Sequence, residues 1–104
     1  MSEDPIVVRR VSEWDLRTLF AASGYEARIA TGGLMKDIER ESHPSPERAH
    51  QPLCTRSQIV AYRDFDGTVL VRVHRYLRQD GTLGASGRAD PKYILFEGAI
   101  YKQA

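Results

Sequence analysis

"SQIVAYRDFDGTVLVRVHRYL", residues 57–77, decides the fold. Two runs of alternating character flank Asp66-Gly67, a dipeptide suited to a tight hairpin turn, so the stretch predicts two antiparallel strands. In the second run, taken as 68–78, Val69, Val71 and Val73 fall on one face, while Leu70, Arg72, His74, Tyr76 and Arg78 fall on the other. The valine face belongs to a core. Arg75 and Leu77 continue it, with the Arg75 stem packed at the rim and its guanidinium in water.

Downstream, Asp80-Gly81 turns the chain into "TLGAS", and "RADPK" interrupts the pattern. "YILF" and "AIYK" then flank Glu97-Gly98, a pair less suited to a tight turn than Asn-Gly or Asp-Gly. Local connections of this kind build antiparallel sheets.

Upstream, the period changes to that of helices. Ser12 reads as an N-cap with Asp15 three residues on, Val11 and Leu16 as a hydrophobic staple, and Gly24 as a left-handed stop. The helix begins at 13, and Trp14 and Phe20 are expected in the core. Ala30, Leu34 and Ile38 make an i, i+4, i+8 stripe that predicts a second helix within 27–41, weakened by Gly32 and Gly33 and capped by Thr31 if it starts late. Pro44, Pro46 and Pro52 make 42–53 a polar, proline-rich connection, expected to be mobile. Helices first and strands afterwards give an α+β class: two N-terminal helices packed on one face of a four- or five-stranded antiparallel sheet, in one domain over 1–104.

Composition bounds the function. The chain has 104 residues, 41% of them hydrophobic, and a net charge of +1, which excludes the strongly basic balance of a dedicated nucleic-acid binder. Residues 1–55 hold seven Lys/Arg against nine acids, and residues 56–104 hold eight against five, so the basic half is C-terminal. One cysteine, Cys54, forms no intramolecular disulfide, and no Cys/His spacing suggests zinc. "MSEDPIVVRR" does not read as a signal peptide and no apolar run approaches a membrane span, so a cytoplasmic protein with no cofactor, metal or membrane partner is expected.

The candidate site is the polar face of the long strand with the loop that follows it: Arg72, His74, Tyr76 and Arg78, joined by Arg88 and Lys92. Guanidiniums fork onto phosphate or carboxylate, rings offer flat surfaces, and Gly81, Gly84 and Gly87 permit close backbone approach. A small non-enzymatic binding module follows, whose partner is an acidic protein surface or nucleic acid. An enzyme is the first alternative: His43, His50 and His74, if brought together, supply the acid and base of a ribonuclease. The order of elements is loosely similar to that of small RNA-cleaving bacterial toxins, an analogy of architecture with no motif behind it. The second alternative is a structural subunit that self-associates if the apolar "YILFEGAIY" lies at a sheet edge.

Overall fold

The computed structural model describes residues 7–44, 46–84 and 88–104. The chain runs β1 (Val7–Val11), α1 (Glu13–Ala22), α2 (Tyr25–Ala30), β2 (Met35–Ser42), α3 (Pro46–Ala49), β3 (Arg56–Arg63), β4 (Val69–Leu77), β5 (Asp90–Phe96) and β6 (Ala99–Gln103). Among the described residues the strands form one sheet in the order β1-β6-β5-β4-β3-β2. β1 lies parallel to β6, and every other neighbouring pair is antiparallel. The α+β class stands, but the sheet is mixed and six-stranded rather than antiparallel with four or five strands.

The hairpin of β3 and β4 forms where its residues predict. Asp64 N–H donates to Thr68 O, and the Asp66 carboxylate accepts from Thr68 N, closing the turn. Val71 and Val73 are fully buried beside Val60, Tyr62 and Ile94, under Leu16 and Phe20 of α1. A bulge then breaks the alternation: Arg63 pairs with Val69 and Tyr62 with Val71, which leaves Leu70 as the extra residue. Leu70 is therefore buried in the core cluster instead of lying on the polar face, and Val69 is half-exposed instead of buried.

α1 starts at its cap, with Asp15 N–H donating to Ser12 Oγ at 3.1 Å, and Gly24 adopts φ 82° just beyond it. Trp14, expected in the core, is 73% exposed, because the buried stripe runs through Leu16 and Phe20 and Trp14 lies off it. The second helix is far shorter than 27–41. It ends at Ala30 with Thr31 as its C-cap, and Gly32, in the left-handed region at φ 76°, turns the chain out. Residues 35–42 then extend and pair with β3. The helical stripe Ala30–Leu34–Ile38 was outweighed by a ladder of hydrogen bonds to a strand that sequence periodicity does not see.

Four further corrections bear on the site. Glu97 and Gly98 both have positive φ, at 49° and 78°, and join β5 to β6 as a two-residue turn. Pro91 sits inside β5, tolerated because a bulge there leaves Lys92 as the extra residue between Pro91 and Tyr93. Residues 93–101 occupy the interior strands β5 and β6, so the sheet edges are β1 and β2. The 42–53 connection contains α3, opened by Pro46, where a missing N–H costs nothing. Gly87 and the Ala85-Ser86 part of "TLGAS" lie outside the described residues.

One buried polar network ties β2, β3 and β4 together. Arg75 Nε donates to Gln58 Oε1 at 2.9 Å, Gln58 Nε2 donates to Glu41, and Arg56 lies 3.7 Å from the same carboxylate. Gln58 is 1% exposed, and its amide bridges the Arg75 guanidinium and the Glu41 carboxylate. Nearby, the buried Thr55 hydroxyl makes no hydrogen bond. Gln58→Ala should lower the free energy of unfolding in urea by about 1–3 kcal/mol, whereas Thr55→Val, which deletes an unpaired group at constant shape, should leave it unchanged or raise it. Equal losses in the two variants would contradict this assignment.

Candidate functional site: the uncovered sheet face

α1 and α2 lie on one side of the sheet. α1 packs on β5 and β6 through Leu16 and Phe20, and Tyr25 of α2 reaches across the layer, its hydroxyl donating to Leu95 O at 2.6 Å and its ring meeting Phe96 edge-on. The residues between the buried ones point to the opposite face. Pairing register aligns them into a row across the whole sheet: Arg10 beside Lys102, Lys102 beside Tyr93, Tyr93 beside Arg72, Arg72 beside Ala61, and Ala61 beside Asp37. From Arg10 to Arg72 is three strand spacings, roughly 14 Å. One step along the strands, Val8 and Ile100 form an adjoining apolar pair on the same face.

Charge is unevenly distributed along this row. Arg72 Nε donates to Glu39 at 2.7 Å, and Arg63 lies 3.5 Å from Asp37 and 3.6 Å from Glu39. The hydrogen bond from Arg72 holds the Glu39 carboxyl below its usual range and pushes the Arg72 guanidinium further up. Glu39 is the extra residue of a bulge in β2, which directs its carboxylate onto Arg72. At the other end of the row, Arg10 makes no ion pair among the described residues, and Lys102 rests 5.9 Å from the Tyr93 ring with no carboxylate partner there. The Arg72 guanidinium lies 4.9 Å from the same ring.

The remaining predicted residues divide. His74 and Tyr76 lie together on the open face, their rings edge-to-face at 4.8 Å, and His74 Nε2 is hydrogen-bonded to Ser57 Oγ at 2.8 Å. Both also border a 180 Å³ cavity at the end of β4 with Arg88, Arg75, Arg17 and Asp90. Lys92 is neutralised, donating to Asp90 at 3.1 Å and to Gln103 at 3.2 Å. Asp90 also accepts from Arg17 at 3.1 Å; partial burial pulls its carboxyl up, but Lys92 and Arg17 outweigh that and hold it below the usual range. Arg78 lies just past β4 and donates to Gln51 at 3.3 Å, beside Gly84, where a Cβ would collide with the Gln51 amide. The six predicted residues thus form no single ridge.

Sequence reasoning missed Arg10, Tyr93, Lys102 and Glu39. "VVRRV" carried the signal for Arg10, an apolar run with two cations at its centre, while the other three depend on cross-strand register.

Chemically, the Ser57 hydroxyl and His74 imidazole form a pair of the kind that activates nucleophiles. The third group is elsewhere: Asp90 is opposite His74 in register, but its carboxylate is taken by Arg17 and Lys92. Ser57 also lies on a flat strand surface and does not border the cavity near His74. His43 is exposed at the end of β2, 3.9 Å from Glu41. Among the described residues no cluster of three His, Cys, Asp or Glu is arranged to hold a metal, and no helix is long and apolar enough to cross a membrane. Comparison with protein families, curated proteins and solved structures finds no match for this chain.

Burial pushes the His74 imidazole below its ordinary value, and the nearby Lys92 adds to the shift while Asp90 opposes it. The neutral ring is the form that the fold favours. Its stabilising contribution is complete above about pH 6.5 and is lost as the pH falls through the folded-state midpoint. Ring resonances of His74 should titrate with a midpoint below about 6.5, and His74→Gln should flatten the decline of stability between pH 7 and pH 5. A midpoint above 6.5 would reverse the sign and contradict the placement.

Proposed function

We propose that the protein is a small non-enzymatic binding module whose uncovered sheet face engages an acidic, partly apolar segment of another protein. One observation carries this reading. Arg10 and Lys102, neither in an ion pair among the described residues, stand directly beside the apolar pair Val8 and Ile100, so carboxylates and apolar side chains of one partner segment would be met together. Val8 is 51% exposed, which leaves apolar area for a partner to cover.

Nucleic acid, the other partner considered, fits this face less well. Single strands dock by stacking bases on free aromatic faces over a cationic track. Here Tyr93 already has cations close to its ring, Arg72 is held by Glu39, and the acids Asp37 and Glu39 close one end of the track. Arg72 and Tyr93 then serve as the inner boundary of the contact. His74 and Tyr76 extend it toward the end of β4, whereas Arg88 borders cavities beside Phe20 and Ala21 of α1, Lys92 is held by Asp90 and Arg78 by Gln51, so these three lie outside the contact.

A fluorescent peptide of sequence Leu-Glu-Glu-Leu-Leu-Glu-Glu-Leu and a fifteen-residue oligothymidylate separate the readings. The peptide should bind, and the double variant Arg10→Glu, Lys102→Glu should weaken it about tenfold or more, the effect of losing roughly 1.4 kcal/mol of charge complementarity. Binding of the oligonucleotide alone, with steep dependence on salt, would replace the protein partner by nucleic acid. Binding of neither would overturn the proposal.

A further inference from the structure

The two edges of the sheet differ. β2 carries five charged residues in eight and is bent by the bulge at Glu39, devices that block the addition of another strand. β1 has two charged residues in five, Arg9 and Arg10, and no bulge. Its register with β6 is unbroken from Val7 to Val11, and Val7 and Val8 are each 51% exposed.

The direction of its backbone groups follows from one hydrogen bond. Val11 O accepts from Ala104 N at 2.7 Å, on the β6 side. In a parallel pair, a residue directs both its N–H and its C=O to the same neighbour, and the direction alternates along the strand. Val7, Arg9 and Val11 therefore face β6, while Val8 and Arg10 present their N–H and C=O groups to the open edge. Above and below that edge stand the side chains of Arg9, on the helix-covered side, and Arg10, on the uncovered side, neither with an ion pair among the described residues.

A second copy of the chain does not suit this edge. Antiparallel self-pairing centred on Arg9 or on Arg10 sets guanidiniums directly opposite one another, which is destabilising, and a register centred on Val8 avoids that clash but gives the guanidiniums no carboxylate to meet. The complement of Val-Val-Arg-Arg-Val is an extended strand with two adjacent acids flanked by apolar residues.

We infer that β1 captures such a strand, a Val-Val-Glu-Glu-Val-Val type of segment from a partner protein, as a seventh strand of the sheet. This rests on the reading that the partner is acidic and partly apolar, and it adds how that partner is held: main-chain hydrogen bonds to Val8 and Arg10 for affinity, carboxylates on Arg9 and Arg10 for selection. The outward carboxylate of the captured strand lies at the end of the row that continues through Lys102.

The test uses the hexapeptide Val-Val-Glu-Glu-Val-Val, capped at both ends, titrated into the native chain. It should slow the amide exchange of Val8 and Arg10 specifically. A version N-methylated at alternate residues, which keeps the charges and removes main-chain donors, should bind at least tenfold more weakly, and the Lys-Lys version should not bind. Val8→Pro, which removes one outward donor and no ladder bond to β6, should weaken capture without lowering Tm by more than a few degrees. If N-methylation has no effect while Arg10→Glu, Lys102→Glu abolishes binding, the peptide lies on the face and strand capture is wrong, although the acidic-partner reading survives. If the hexapeptide does not bind while Leu-Glu-Glu-Leu-Leu-Glu-Glu-Leu does, strand capture is likewise wrong. A concentration-dependent dimer broken by Val8→Pro would assign the edge to self-pairing and overturn the inference.

Discussion

The structure depends on a mismatch between the sheet and what covers it. Six strands span roughly 24 Å across the hydrogen-bonding direction. The two helices packed on them have ten and six residues, the longer about 15 Å in length. They suffice for one face, where Leu16, Phe20 and Tyr25 close over Val60, Val71, Val73 and Ile94. Among the described residues nothing of comparable size remains for the other. The residues that alternate with those buried positions, the fully buried Ala61 apart, consequently face away from the helices, and the side chains there must be compatible with water. That requirement explains the arginines and rings of β4 without invoking a ligand. It does not explain why an apolar pair and cations without an ion pair among the described residues stand side by side at the β1 end.

Ion pairing accounts for that asymmetry. At the β2 end, Glu39 and Asp37 neutralise Arg72 and Arg63, and the face is electrostatically closed. At the β1 end, Arg9, Arg10 and Lys102 meet no carboxylates among the described residues, and the acids nearest in strand order are held elsewhere, Asp90 by Arg17 and Lys92. Exposed pairs of this kind contribute little stability individually, about 0–1 kcal/mol. Their importance lies in which cations they leave available.

Legibility in the sequence followed the range of the interactions. The β3–β4 hairpin, the cap at Ser12 and the stop at Gly24 rest on neighbours a few residues apart, and all three appear where the residues place them. β1 and β2 were missed because each exists only through a distant partner: Val7 pairs with Ala99, and Met35 with Arg63. "MKDIERES" has a composition that favours helix, and the ladder to β3 overrides it. Bulges were equally invisible, since a single extra residue at Leu70, Glu39 or Lys92 exchanges faces with no mark in the pattern. Alternation sufficed to place Arg72, His74 and Tyr76 on the open face. Glu39 is 33 residues from Arg72, and Arg10 is three ladders away. The cation that looked free on β4 is paired, and the free ones stand on strands whose position required the register.

The account stands on one face of the sheet being covered and the other open, and oxidative footprinting of the native chain measures that directly. Tyr93, Tyr76 and His74 should be modified well ahead of Tyr25 and Tyr62, with Trp14 among the fastest. Protection of Tyr93 to the level of Tyr62, or labelling of Tyr62 at the rate of Tyr93, would mean that the layers are arranged otherwise and that the open face does not exist.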